Sequence, residues 1–369
     1  MTEKKAEDRN RVDVFHGKSL EGNPINSPAD RGLHIYLPPG YFESEKERYP
    51  VVYFLHGYTG YDQKISITST KEDNKNLPVK LIPPEILEQI DLDRFPSYAK
   101  FDELITSGEL DPFIFVQPDA SLRLPHKDGA KDFFGAVQTK GSFYLNSPYT
   151  GNFEDYIVKD VIGYVDANYR TIPDKQHRGL AGGSMGGYGA LSIPIHHPEK
   201  FIATASLSPG NIDFDSLDLK LVVPIHEKVL GREWAEQYGV SLRDDILDTV
   251  DLVLSRDNPL IPSIVRDDTG KTIDYNKEAA KNWEKYDLNN MIRENPDALK
   301  EVHLLINSER NDEFGIAAIT EKIHENLNEL GIDHEFEIYS DPKAALTPHI
   351  LGTAYQIIPG LKFCLQHFT

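Results

Sequence analysis

Gly182-Gly183-Ser184-Met185-Gly186-Gly187 lies half-way along a chain of 369 residues and contains the pattern G-x-S-x-G. In that pattern a serine sits on a strained bend between a strand and a helix and presents its hydroxyl at the edge of a sheet. Gly182 and Gly186 suit the bend because side chains at those positions would collide within it. Glycine makes up about 7% of ordinary chains, so the pattern alone is unspecific and its flanks must carry the reading. His177-Arg178-Gly179-Leu180-Ala181 reads as a short strand entering the bend, and Tyr188 to His196 as the helix leaving it. A serine at the start of that helix sets the Met185 backbone N–H beside any oxyanion formed on a substrate.

Outward from this centre, short apolar runs alternate with helical patterns. Val51-Val52-Tyr53-Phe54-Leu55 and Phe113-Ile114-Phe115-Val116 are continuous and β-rich, as strands buried on both faces of a parallel sheet are. Leu33 to Leu37, Ile202 to Leu207, Val302 to Ile306 and Phe336 to Tyr339 are further strand candidates. Tyr156, Ile157, Val161, Tyr164 and Val165 follow helical spacing, as do Ile316, Ile319, Ile323, Leu327 and Leu330, which stop at Gly331. The alternation predicts an α/β fold with a mostly parallel central sheet flanked by helices.

Two stretches interrupt it. Residues 62–100 are polar and loop-like, with one short helical candidate at Pro84–Ile90. Residues 210–300 carry helical patterns at Leu217 to Leu230 and Arg243 to Leu254. Each follows a run read as a strand, at the sheet edge where open α/β folds bind ligands. The expected organisation is therefore a catalytic domain from 1–209 and 301–369, a loop and helical insertion at 62–100, and a cap or lid insertion at 210–300.

Composition narrows the function. Apolar residues are 39% and aromatics 10%, the profile of a globular core. Lys plus Arg number 39 against 59 Asp plus Glu, a net charge of −20 that repels nucleic acid and anionic membrane surfaces. One cysteine, Cys364, allows no internal disulfide. No apolar run reaches the roughly 20 residues of a membrane helix, and the polar stretch Met1 to Val12 has no signal-peptide core, so a cytoplasmic location is expected. No zinc-binding cluster, dinucleotide fingerprint or phosphate loop is present; His196-His197 before Pro198 and the isolated His126, His226, His303, His324 and His334 sit in no such motif. Neither metal nor cofactor is expected.

A serine hydroxyl needs a base and an orienting carboxylate, and after an elbow of this kind the acid precedes the histidine in the chain. The polar loop Asn307 to Glu313 follows a predicted strand and offers Asp312 as the acid, with Glu309 and Glu313 as alternatives. His349 follows the last predicted core strand, and beyond it only His367 remains. His56-Gly57-Tyr58 follows the buried run Val51 to Leu55, so the Tyr58 N–H is the second candidate oxyanion donor beside Met185.

At this point the chain resembles the putative-esterase (esterase D-like) family of the α/β-hydrolase superfamily, the group of feruloyl esterases, enterochelin esterases, S-formylglutathione hydrolases and mycolyltransferases. The similar segments include Tyr36-Leu37-Pro38-Pro39-Gly40-Tyr41, Tyr49 to Gly57, Asp102-Glu103-Leu104-Ile105, Val116-Gln117-Pro118-Asp119, Gly141-Ser142-Phe143-Tyr144, Ala181 to Gly189 and His197 to Phe201. They span about residues 30–210, with weaker likeness over 300–365. Glu309 stands where a glycine is frequent in the family, and Leu346-Thr347-Pro348 replaces the glycine-rich approach to the histidine seen in feruloyl esterases.

The resemblance implies an α/β-hydrolase fold with Ser184 as nucleophile and Tyr58 and Met185 as oxyanion donors, and it carries Asp312 and His349 over less closely. The function expected is a serine carboxylesterase acting on small acyl or aromatic esters, feruloyl-type among them, through an acyl-enzyme. An acyltransferase with the same triad and a non-catalytic binding module are the alternatives. Phe143, Tyr144, Trp234 and Tyr238 are candidates to line the substrate site. The expected partner is a small-molecule ester, with a homo-oligomer left open.

Overall fold

The computed structural model describes residues 9–58, 60, 88, 90–123, 139–213, 222–254, 262–276 and 278–369. Most of the 62–100 insertion, including nearly all of the Pro84–Ile90 helix candidate, lies outside them. So do His126 and the opening of the Leu217 to Leu230 segment.

The eight-stranded sheet is built from β1 (Asn10–His16), β2 (Asp30–Tyr36), β3 (Val51–Leu55), β4 (Ile114–Pro118), β5 (Arg178–Gly183), β6 (Ala203–Leu207), β7 (His303–Glu309) and β8 (Glu335–Tyr339). Their spatial order is β1-β2-β4-β3-β5-β6-β7-β8. The six strands from β4 to β8 pair in parallel, whereas β1 and β2 pair antiparallel to each other and β2 antiparallel to β4. This is the α/β-hydrolase fold, with helices on both faces.

Alternation along β3 sorts the core. Val51, Tyr53 and Leu55 face one apolar cluster, and Val52 and Phe54 face the other. The first face is covered by α3 (Met185–His196), α7 (Ile316–Glu329) and a helix that runs from Phe153 through a π-helical turn at Tyr156–Val161 into α2 (Ile162–Asn168). The second is covered by α1 (Tyr98–Thr106), through Tyr98, Phe101 and Leu104, and by α8 (Pro348–Gln366), through Ile357, Leu361 and Cys364. Every residue of β3, β4 and β6 is buried, as continuous apolar runs predict for a sheet covered on both sides.

Several boundaries differ from the sequence expectation. The pattern at Arg243 to Leu254 is the C-terminal half of one 23-residue helix, α5 (Arg232–Leu254), preceded by α4 (Pro224–Leu230). Glycine at 239 and mixed polarity hide its first half from a periodicity reading. α7 ends after Glu329, two residues before Gly331, which takes the left-handed conformation (φ 65°) that closes helices. Between β6 and β7 the chain also makes a hairpin, Ile264–Arg266 with Thr272–Tyr275, and α6 (Leu288–Glu294). The loops that follow β3, β5, β7 and β8 leave from the C-terminal ends of parallel neighbours, so four segments far apart in sequence converge at one edge.

Candidate active site

Ser184 joins β5 to α3 with φ 59° and ψ −119°, a backbone conformation that costs a non-glycine residue on the order of 1–3 kcal/mol. The bend is locked by three backbone bonds: Ser184 N–H donates to Leu207 O (3.0 Å), and the Ser184 carbonyl accepts from Tyr188 N–H (3.0 Å) and Gly210 N–H (2.9 Å). The glycines are a steric necessity. A Cβ on Gly182 would run into the backbone of Gly186, and one on Gly186 into the Leu55 carbonyl of β3. Gly186→Ala is therefore expected to cost at least about 3 kcal/mol, read as a lowered urea midpoint, because backbone rather than a movable side chain is in the way. An unchanged midpoint would contradict that packing.

His349 lies in the first turn of α8. Its Nδ1 is 2.6 Å from Asp312 Oδ2, in a pair with almost no exposure on either side chain. A carboxylate only accepts, so Nδ1 carries the proton and Nε2 is left as the proton acceptor of the ring. Asp312 Oδ1 accepts from Phe314 N–H (2.9 Å), which aims the carboxylate. Burial pulls the His349 pKa down, but the charge of Asp312, its hydrogen bond and the charge of Glu313 outweigh burial, and the net shift is upward. Elbow and histidine helix meet directly: a Cβ on Gly183 would strike Thr353 of α8, one turn beyond His349.

The two other acidic residues of the loop have different places. Glu313 accepts from His349 N–H (2.7 Å) and from the Thr347 hydroxyl (2.8 Å), which makes it a carboxylate cap on the N-terminus of α8. Burial, together with the charge of Asp312, raises its pKa against the opposing pull of His349. Glu309 is folded back on its own loop, accepting from the Asn311 backbone and side-chain N–H groups and from Asp341 N–H. The cap role of Glu313 was missed in sequence, where it looked like a spare acid. No sequence signal marks it, because the Thr347-Pro348-His349 helix start lies on a distant segment that only the fold brings near.

The loop after β3 is equally well braced. His56 is fully buried, and its Nε2 accepts from Ala120 N–H (3.0 Å), so Nδ1 bears the proton and donates to Gly57 O (2.8 Å). Burial lowers its pKa, consistent with the neutral tautomer that this pairing requires. Gly57 lies against the nucleophile; a Cβ there would be 3.6 Å from Ser184 Cβ. Tyr58 follows, and Met185 opens α3 immediately after Ser184.

The aromatic candidates fall in two groups. Phe143 is buried with its ring 6.0 Å from that of Tyr58, and its N–H meets Met185 Sδ at 3.4 Å. Tyr144 is fully buried beneath the loop and donates its hydroxyl to the His56 carbonyl (2.9 Å). Trp234 and Tyr238 lie one turn apart on α5, stacked at 5.2 Å, with the ring of His226 from α4 edge-on to both. Among the described residues no three or more His, Cys, Asp or Glu side chains are grouped to hold a metal ion. No helix among them is long and apolar enough to cross a membrane.

A profile of the family described as putative esterase matches residues 26–79 and 92–322, well over half of the chain. The chain belongs to the putative-esterase family. It is 29% identical over 206 residues to an endo-1,4-beta-xylanase/feruloyl esterase of Xylanibacter ruminicola, a match covering 54% of this chain and 23% of that protein. It is 25% identical over 237 residues to an esterase of Mycobacterium tuberculosis, covering 62% of this chain and 39% of that protein. The chain thus spans well under half the length of these two esterase relatives. Among solved structures it is similar to a ferulic acid esterase, with a TM-score of 0.56 at 16% identity over 97% of both chains, a likeness of fold.

Proposed function

We propose that the protein is a serine carboxylesterase in which Ser184 is the nucleophile, His349 the general base and Asp312 the residue that orients it. The observation that carries this reading is the buried Asp312–His349 hydrogen bond, held at the sheet edge where α8 meets the strained elbow. His349 Nε2 takes the hydroxyl proton as Ser184 Oγ attacks the ester carbonyl. The carbonyl oxygen becomes an oxyanion facing the backbone N–H groups of Tyr58 and Met185. Collapse of this intermediate expels the alcohol, which receives the proton from His349 and leaves an acyl-enzyme. Water, deprotonated by His349, then releases the acid and restores Ser184.

The substrates proposed are small acyl or aromatic esters. The insertion at 210–300 supports a cap role, because it touches the site from two sides. Ile225 and Val229 of α4 pack on the apolar cluster containing Leu346 and Leu351, which flank His349, and α5 reaches the Tyr58 loop. Trp234 and Tyr238 are the aromatic surface this cap offers to an acyl group, and Phe143 lies on the oxyanion side.

The test is the pH profile of kcat/KM on p-nitrophenyl acetate, butyrate and octanoate. Only neutral His349 acts as base, and its pKa is raised, so activity is expected to climb with pH through a midpoint above about 6.5. A rate that stays level from pH 5 to 9 would remove His349 as the base. The order of rates along the three acyl chains measures the depth of the acyl pocket.

A further inference from the structure

Helix α5 belongs to the insertion, yet two of its side chains close on a residue of the core loop after β3. The Tyr58 hydroxyl lies 2.9 Å from Asp245 Oδ2, 3.0 Å from the Asp245 carbonyl and 2.6 Å from Thr249 Oγ1. Lys140 holds the other carboxylate oxygen of Asp245 at 2.5 Å. Tyr58 and Thr249 are buried, and Asp245 and Lys140 are partly so. The charge of Asp245 makes its carboxylate the preferred acceptor for the Tyr58 proton.

The same tyrosine ring is wedged at its other end. A Cβ on Gly141 would come within 2.6 Å of the Tyr58 ring and would also strike Met185 Sδ, so both side chains rest on one glycine. Phe143 touches the Tyr58 ring and donates its N–H to Met185 Sδ. The residues proposed to supply the two oxyanion N–H groups therefore lean on the same segment, Gly141–Phe143. Tyr58 is tied to α5 of the insertion through its hydroxyl.

We infer that Asp245 and Thr249 of α5 are positioning residues for ester hydrolysis, setting the Tyr58 N–H through the tyrosine side chain, with Lys140 fixing the Asp245 carboxylate. This inference rests on Tyr58 being an oxyanion donor. A tyrosine has two rotatable side-chain bonds, so fixing its hydroxyl and ring leaves its Cα and N–H little freedom. The oxyanion contact exists only in the transition state, so loosening it lowers turnover and leaves ground-state binding alone. The insertion thereby helps to set the oxyanion site as well as forming a wall around the substrate.

The experiment compares wild type, Tyr58→Phe, Thr249→Val and Asp245→Asn as full chains on p-nitrophenyl butyrate. Tyr58→Phe keeps the ring and the backbone N–H and removes only the tie. The expected result is a fall of roughly 10- to 100-fold in kcat with KM within about twofold. Affinity for a phenylboronic acid, which mimics the tetrahedral state, should fall by the same factor as kcat/KM, and the melting temperature should stay close to wild type. Wild-type kcat and boronate affinity in Tyr58→Phe and Thr249→Val would overturn the inference. So would a loss of kcat that follows a lowered melting temperature with boronate affinity intact. Ser184→Ala run alongside separates the two failures. Full activity in that variant overturns the underlying esterase site, whereas an inactive Ser184→Ala beside a fully active Tyr58→Phe overturns only the role of α5.

Discussion

Ser184→Ala is expected to lower turnover of p-nitrophenyl butyrate about a millionfold while leaving the fold intact, the size of loss typical for a triad serine. The fold should survive because alanine retains the Cβ and Ser184 makes its structural bonds through its backbone, to Leu207, Tyr188 and Gly210. The strain at φ 59° is present in the wild type and carries over unchanged. What disappears is the hydroxyl of the proposed nucleophile. Circular dichroism and the urea midpoint should match wild type within about 1 kcal/mol, and a fluorophosphonate should label the wild-type chain at residue 184 and the variant nowhere. Equal hydrolysis by the two proteins would mean that another group performs the attack.

How far the site could be read from sequence differs residue by residue. The elbow was legible because its residue pattern is local: a side chain at Gly182 would strike the backbone of Gly186 within one turn, although Gly186 itself is held against the Leu55 carbonyl of β3. The strands β3, β4 and β6 were legible because burial on both faces leaves an unbroken apolar run. The edge strand β1 was not. Arg11, Val12, Val14 and His16 are exposed, only Phe15 is buried, and an edge strand with solvent on one side carries no such run. Helix α8 was hidden for another reason. Its interior Pro359 breaks the helical pattern, and its first turn is made by the Glu313 carboxylate from a loop 36 residues earlier.

The same distinction separates Asp312 from its neighbours. In sequence, Glu309, Asp312 and Glu313 are three acids in one loop. The structure gives each a different partner, since Glu309 binds its own loop, Glu313 the backbone of α8 and Asp312 the imidazole. No spacing rule could make that division, because it depends on the direction in which β7 delivers the loop and on where α8 starts after β8. The tie from α5 to Tyr58 was invisible for a related reason: 187 residues separate Asp245 from Tyr58, and neither lies in a motif that names the other.

Asp312→Asn tests that division with the second large effect. It is expected to lower kcat by about 10⁴-fold, equivalent to about 5.5 kcal/mol of transition-state stabilisation. An asparagine fills the same volume, and its side-chain oxygen can still accept from Phe314 N–H, so folding should change little. Its amide nitrogen, however, donates rather than accepts when turned toward His349. The imidazole would then place its proton on Nε2, where it blocks removal of the Ser184 proton. A second signature accompanies the loss. Asp312 supplies both its charge and a hydrogen bond to the upward shift of His349, against the downward pull of burial. With both removed, only the Glu313 charge opposes burial, so the His349 pKa falls. The residual activity of Asp312→Asn should therefore climb at a lower pH than wild type, on a plateau about four decades down. Glu309→Gln, which touches neither ring nor helix cap, should keep the wild-type midpoint and lose far less rate. Near-wild-type turnover in Asp312→Asn, or a four-decade loss in Glu309→Gln, would move the orienting carboxylate away from residue 312.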